Sequence, residues 1–314
     1  MNVVHTKYGI LKGITSAEFY KNNILKECIL TEPNELITPY GKLIPQYEQE
    51  HVRRKYTSAV TFYESGNLKS ICLNDQTHIL TPLGPFEAEK ITFYDDEKLK
   101  RIFPVNGKVT GYWTEENEYA LAEEHTFKFS FGDIRSKVMS VYLYPSGKLK
   151  SITLWPKERA QIQLDSGIMP IRIGVSFYET GVLKSCEPAE PTPVMTPIGE
   201  IMAYDTSAVG IHGDINSLAF YEDGTLKALA TSTDKIEIYD EELNKTCYAP
   251  GEIPSLLHYN GKDIVPLCVA FYGGKVSMNE ELEYALDRHS FSIINYFKKV
   301  KPSCSDCANC NLCP

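Results

Sequence analysis

The chain has 314 residues, enough at roughly 150 residues per domain for about two domains with a sizeable core. Apolar residues at 43% and charged residues at 23% exclude collagen-like, coiled-coil and wholly disordered chains. Thirty-two basic against 41 acidic side chains leave a formal charge of −9, a poor basis for neutralising phosphates, so nucleic acid is not an expected partner.

Met1 to Ile14 alternate polar and apolar side chains and lack the basic start and apolar run of a signal peptide. The longest apolar stretch, near Ile264 to Tyr272, is too short for a bilayer span and contains Pro266. A cytoplasmic protein without a membrane span is the expectation.

From a stub at Gly9-Ile-Leu-Lys12 onward, one phrase recurs along the chain. Its copies begin at Phe19-Tyr20, Phe62-Tyr63, Phe93-Tyr94, Leu143-Tyr144, Phe177-Tyr178, Phe220-Tyr221 and Phe271-Tyr272, and the fullest reads Phe62-Tyr-Glu-Ser-Gly-Asn-Leu-Lys-Ser-Ile71. Aromatic and β-branched residues lead in, a polar tetrad with glycine supplies a turn, and Leu-Lys-Ser leads out, which predicts a β-hairpin. Alternation places Phe62 on a core face and Tyr63 on the opposite face. Glu64 and Lys69 then lie beside the turn as solubilising charges. A second phrase, Thr38-Pro-Tyr-Gly41, Thr81-Pro-Leu-Gly84 and Thr196-Pro-Ile-Gly199, predicts further turns, each opening a strand.

The turn positions Asn23 and Gly66 are offset from Gly181 and Gly224 by the same 158 residues, so the chain reads as an internal duplication. Glu115 to Phe127 echoes Glu280 to Phe291, and with acidic first turns both segments are predicted as short helices. The fold class expected is therefore mainly β, antiparallel hairpin repeats in two duplicated halves, with one or two short helices per half. Residues 1–158 form the first half, 159–300 the second, and 301–314 a cysteine-rich tail.

The hairpin phrase resembles the membrane-occupation-and-recognition-nexus (MORN) repeat, above all its bacterial variety, as at Tyr63 to Lys69 and Tyr221 to Lys227. The resemblance implies hairpins stacked into an extended antiparallel sheet and a role in binding or scaffolding; some bacterial members are antitoxin components. It implies no catalytic residue. The turn positions here are 43, 31, 50, 34, 43 and 50 residues apart, where the family keeps a shorter regular period, which favours two compact β domains with insertions.

Five cysteines, Cys28, Cys72, Cys186, Cys247 and Cys268, are scattered in strand-like surroundings and are expected to pack as free thiols. The other four form Cys304-x-x-Cys307-x-x-Cys310-x-x-Cys313-Pro314, whose thiolates at every third residue suit one soft metal centre. The run resembles the start of a ferredoxin cluster motif with a shortened last gap, so an iron–sulfur cluster, zinc and a redox-active thiol tail all stay open.

His125 and His289 occupy equivalent places in the duplicated segment, each open to a catalytic or a carbonyl-bonding reading, and His212 lies in a glycine-bounded loop. His51-Val-Arg-Arg-Lys-Tyr56 is the densest basic patch and Asn106 to Trp113 a glycine-bounded aromatic strand or turn; either suits a binding surface, and the first also suits a sheet edge protected by charge. No phosphate loop, dinucleotide fingerprint, nucleophile elbow or zinc helix is present, so an enzyme gains no positive support. Three functions follow in order: a non-catalytic binding or scaffold protein for a protein or small-molecule partner, a redox accessory that meets a redox partner through its tail, and an enzyme using the loop histidines.

Overall fold

The computed structural model describes residues 3–47, 52–129, 132–164, 167–209, 213–255 and 261–295. The protein is mainly β, with antiparallel sheets and, among the described residues, one helix. Contacts divide it into two compact units, one of residues 1–190 and 208–228, the other of residues 191–207 and 229–314.

The first unit is organised by one antiparallel ladder whose strands pair in chain order, from Ile14–Phe19 and Leu25–Leu30 to Leu218–Phe220 and Leu226–Thr231. It runs without interruption past residues 158 and 159, since Ser151 pairs with Ser176 across that boundary. The 158-residue repeat is thus a repeat of pattern within one continuous sheet.

Each copy of the first phrase from Phe19-Tyr20 to Phe220-Tyr221 is a hairpin of this ladder, built the same way. The tyrosine N–H donates to the carbonyl four residues on, as Tyr63 to Asn67 at 2.8 Å, and the N–H of the turn residue returns to the tyrosine carbonyl, as Gly66 to Tyr63 at 2.9 Å. That turn residue is left-handed in every one of these copies, including Asn23 (φ 64°) and Glu97 (φ 66°), which lack the glycine that the conformation favours. The seventh copy differs: Tyr272 and Lys275 flank a two-residue turn, Gly273-Gly274. The second phrase forms the other set of hairpin turns. In each, the threonine hydroxyl donates to the glycine carbonyl and accepts the N–H between them, as Thr38 does with Gly41 (2.9 Å) and Tyr40 (3.1 Å). Thr6-Lys-Tyr-Gly9 makes the same turn without proline.

The exit of each phrase hairpin carries a one-residue bulge. Phe62 pairs with Leu68 but Thr61 with Ser70, leaving Lys69 without a cross-strand partner, and the same slip isolates Lys26, Lys100, Lys150, Lys184 and Lys227. Because the extra residue interrupts alternation, Leu68 and Ile71 both point inward and are buried. One rank of directly opposed residues, Val60, Ile71, Ile91, Ile102, Val141, Ile152 and Val175, is fully buried and forms the inner face.

The helix Glu115–Leu121 is capped by Thr114 and Asn117, whose side chains each take the other's backbone N–H. The echo segment near 280–291 is not helical, contrary to the sequence-based expectation. Leu282 stands where Asn117 does and cannot complete a capping box, and Asn279 is committed elsewhere: its side chain accepts the Cys268 N–H at 3.0 Å. Leu282–Ala285 instead pairs with Lys275–Met278, and Ser290–Asn295 pairs with Asp234–Tyr239.

In the second unit, Asp234–Tyr239 is the middle strand between Lys245–Tyr248 and Ser290–Asn295. The hairpin Thr192–Thr196/Gly199–Ala203 is tied to it through Asp234, whose carboxylate accepts the Met202 N–H at 2.5 Å and the Asn295 amide at 3.1 Å.

Candidate functional site

Next to the buried rank lies a second rank of opposed residues on the outer face: Thr61, Ser70, Thr92, Arg101, Tyr142, Ser151, Ser176 and Ser185. It is a line of small hydroxyls crossing the strands, interrupted midway by a guanidinium and a phenol. The two ends differ. Ser151, Ser176 and Ser185 are buried, whereas Thr61, Ser70 and Thr92 are partly open to solvent.

The buried end is roofed by the segment Gly213–Ser217. Gly213 N–H donates to Thr153 Oγ1 (2.8 Å), Asn216 donates to Ser185 Oγ (2.8 Å), and Ser217 N–H to the Glu187 carboxylate (2.8 Å). The Asp214 carboxylate accepts Ser151 Oγ–H and pairs with Arg101. Backbone here meets backbone: a Cβ on Gly213 would lie 2.1 Å from the Ile152 carbonyl oxygen, and one on Gly174 2.2 Å from the Gly213 Cα.

The open end lines a cavity of about 480 Å³ bounded by Thr61, Ser70, Thr92, Tyr63, Tyr142, Lys69, Lys90, Lys100, Arg101 and Asp214. Lys69 and Lys100 reach it from their bulges and Lys90 from a neighbouring strand. Lys69 stands over the Tyr63 ring at 5.5 Å, Lys100 over Tyr94 at 5.5 Å and Lys90 over Phe103 at 5.6 Å. Among the described residues none of these three lysines forms a carboxylate ion pair. Arg101 (4.4 Å) and Lys150 (4.3 Å) both stand over the Tyr142 ring. Burial pushes its hydroxyl pKa up, but Tyr94, Lys150 and Lys100 outweigh burial and hold it below the ordinary tyrosine value. The groove therefore concentrates cations and hydroxyl donors on a chain whose net charge is −9.

The tyrosines of the first six copies are half-buried and Tyr272 of the seventh is exposed; five are fixed by their hydroxyls. Tyr20, Tyr63, Tyr94, Tyr144 and Tyr178 each donate to the backbone carbonyl of the residue before the next copy's tyrosine, at 2.8–3.0 Å. Lys69 stacks on its own repeat's tyrosine and is not paired with Glu64, which changes the role expected for that charge.

Within the basic patch, whose His51 lies outside the described residues, Lys55 and Tyr56 are exposed but Arg53 is not a surface charge. Arg53 is buried and clasped by two carboxylates, Glu89 at 2.6–2.7 Å and Glu118 at 2.7–2.8 Å. Glu118 also accepts Trp113 Nε1–H (2.7 Å) and the Gly107 N–H (2.5 Å), so the aromatic segment 106–113 is a wrapped loop held by the same carboxylate. Burial raises the Glu118 pKa, but Arg53, Trp113 and Gly107 together hold it below the usual glutamate value. Trp155 is buried with Val105 and Ala122.

His125 sits on the strand Glu124–Phe129, beyond the helix end, stacked on Phe86 at 4.0 Å. Burial lowers its pKa against Glu123, and among the described residues its Nε2 has no hydrogen-bond partner. His289 contacts the Ala285 carbonyl at 3.0 Å in a turn. His212 lies outside the described residues, as do Cys304, Cys307, Cys310 and Cys313. Among the described residues no group of three or more His, Cys, Asp or Glu is placed to hold a metal, and no helix is long and apolar enough to cross a membrane. Of the five scattered cysteines, Cys28, Cys72 and Cys186 are buried, but Cys247 and Cys268 are exposed, a departure from the packing expected for all five. Sequence reasoning missed the groove itself, because its lysines are bulge residues and its hydroxyls align only through register. Comparison of the chain with protein-family models, curated proteins and solved structures gives no match.

Proposed function

We propose that the protein is a non-catalytic binding protein, of the scaffold kind that MORN-like hairpin repeats imply, and that it holds an anionic ligand in the lysine-lined groove. The observation that carries this reading is that Lys69, Lys90 and Lys100, without carboxylate partners among the described residues, line one groove with half-open hydroxyls. The residues lining the groove include no histidine or cysteine, and a carboxylate already occupies the Arg101 end through Asp214. Lysines beside aromatic rings attract anions while remaining rigid enough to place them. The test is titration of the full chain with poly-aspartate and with tripolyphosphate at low and physiological salt. Saturable, salt-sensitive binding of at least one that is lost in Lys69→Glu/Lys100→Glu supports the reading; no binding of either overturns it.

A second reading rests on the tail. The spacing Cys304, Cys307, Cys310, Cys313 supports a metal clip, iron–sulfur or zinc, that would make the protein a redox accessory or staple its end. Purification without oxygen followed by iron, sulfide and zinc analysis tests it. Iron with sulfide supports the redox role and stoichiometric zinc a structural clip, while a metal-free chain removes both.

A further inference from the structure

The Thr-x-x-Gly turns differ at their third residue, which is Tyr8, Tyr40, Leu83 or Ile198. The first two turns each plug a hairpin of the repeated phrase. Tyr8 packs beside Phe62, ring centroids 6.4 Å apart, and its hydroxyl accepts the Leu68 N–H at 3.0 Å. Tyr40 packs beside Phe93 at 5.9 Å and accepts the Leu99 N–H at 3.1 Å. Phe62 pairs with Leu68 and Phe93 with Leu99 just before each bulge, so the leucine at this place presents its N–H to a phenol supplied from a distant turn.

The third turn meets the next hairpin of this kind, that of Leu143 and Leu149. The two lie close: a Cβ on Gly147 would stand 2.9 Å from Pro82 Cγ. Every group of the plug is smaller here. Leu83 replaces the tyrosine and Leu143 the phenylalanine. Gly181, the turn residue of the following copy, stands where Glu97 accepts the Tyr8 hydroxyl at 2.8 Å. Among the described residues no side chain takes the Leu149 N–H.

Open space marks the missing ring. Two adjoining cavities of about 400 Å³ each share Leu83, Phe129 and Leu149, and one of them reaches Phe177 and Gly181. Leu83 is 39% exposed, against 4% for Tyr8, so it does not fill the place. Phe129 and Phe177 stack at 4.5 Å and form an aromatic wall.

We propose that this pocket binds a small phenolic molecule, its ring between Leu83 and the wall of Phe129 and Phe177 and its hydroxyl accepting the Leu149 N–H. The occupant is read from the two hairpins where the chain supplies that group itself, through Tyr8 and Tyr40. A largely apolar cavity of this size suits a ring-bearing ligand, and the N–H favours a phenol over a bare hydrocarbon. The pocket shares no lining residue with the lysine groove and does not depend on the anion reading.

The experiment uses the full chain under reducing conditions, with para-fluorophenol and fluorobenzene as probes in fluorine NMR. The phenol should bind saturably and about fivefold more tightly than fluorobenzene. It should also move the Leu149 amide resonance in protein spectra, and fluorobenzene should move it less. Leu83→Tyr, which restores the phenol from the turn, and Leu83→Phe, which fills the space without an acceptor, should both abolish probe binding. Of the two, Leu83→Tyr should melt at the higher temperature, and the melting curves establish that both are folded. Absence of phenol binding, equal binding of the two probes, an unmoved Leu149 amide, or binding that survives in the folded ring variants each overturns the proposal.

Discussion

Tyr178 donates its hydroxyl to the backbone carbonyl of Phe220 at 2.9 Å, and Tyr20, 158 residues earlier, does the same to Phe62 at 3.0 Å. The phenol of one copy thus satisfies the backbone of the next, which links successive hairpins beyond their strand pairing. Tyr144→Phe removes one such bond, to Phe177, and leaves the ring in place. It should cost about 1 kcal/mol in urea unfolding, and Tyr178→Phe about the same, since both bonds are equivalent in geometry.

Arg53 neutralises two carboxylates in a site closed to water, so its loss strands Glu89 and Glu118 against each other. Arg53→Met should destabilise the protein by about 3–5 kcal/mol at neutral pH. Adding Glu89→Gln and Glu118→Gln should recover part of that loss, because no charge is then left buried. Equilibrium denaturation of the single and triple variants measures both.

The same site sets a direction for pH dependence. Glu118 titrates below its ordinary value in the folded state, so the unfolded chain binds its proton first as acid is added. Its contribution is complete above the unfolded glutamate range and is lost as pH falls through that range toward the lower folded value. Burial likewise raises the Glu158 pKa, and Tyr119, Ser136 and Lys137 more than offset it, so Glu158 acts in the same sense. The denaturation midpoint should fall between pH 6 and pH 3 by less in Glu118→Gln than in the unaltered chain, measured as a series of urea transitions.

Gly213 and Gly174 let two backbones touch. Neither requires a left-handed conformation, so alanine at either position acts through collision alone, with a Cβ 2.1–2.2 Å from backbone atoms. Gly213→Ala should cost about 2–4 kcal/mol or lift the segment 213–217 off Ser151 and Ser185. Limited proteolysis near residue 215 distinguishes these outcomes, faster cleavage reporting the lifted segment.

Thiol accessibility gives an independent check of the core. Burial pushes the Cys28 pKa up to about 12 and raises those of Cys72 and Cys186, so these thiols should resist alkylation until the chain unfolds. In a chain with Cys304, Cys307, Cys310 and Cys313 changed to serine, Cys247 and Cys268 should react first. Mass spectrometry after brief alkylation identifies them.

Much of the architecture was legible because the repeated phrase states its own turn, core aromatic and exit. The phrase turns formed where the sequence placed them, even at Asn23 and Glu97. What escaped were features set by register and by distant partners. Lys69 reads as a surface charge until the slip between Thr61 and Phe62 reveals it as a bulge residue. Arg53 reads as part of a basic patch because Glu89 and Glu118 lie 36 and 65 positions away. The echo segment differs at both capping positions, Asn279 for Thr114 and Leu282 for Asn117, which local composition does not weigh. The serine and threonine rank was invisible for the same reason as the bulges: its members are neighbours only after every strand has paired.

A lysine at a bulge takes no cross-strand partner in the ladder, so its identity is uncoupled from the sheet that carries it. Replacing Lys69, Lys100 or Lys150 alters what the outer face attracts without asking any neighbouring strand to re-register. The chain can in this way revise the charge pattern of that face one bead at a time on an unaltered frame, as a typesetter changes a letter without recutting the line.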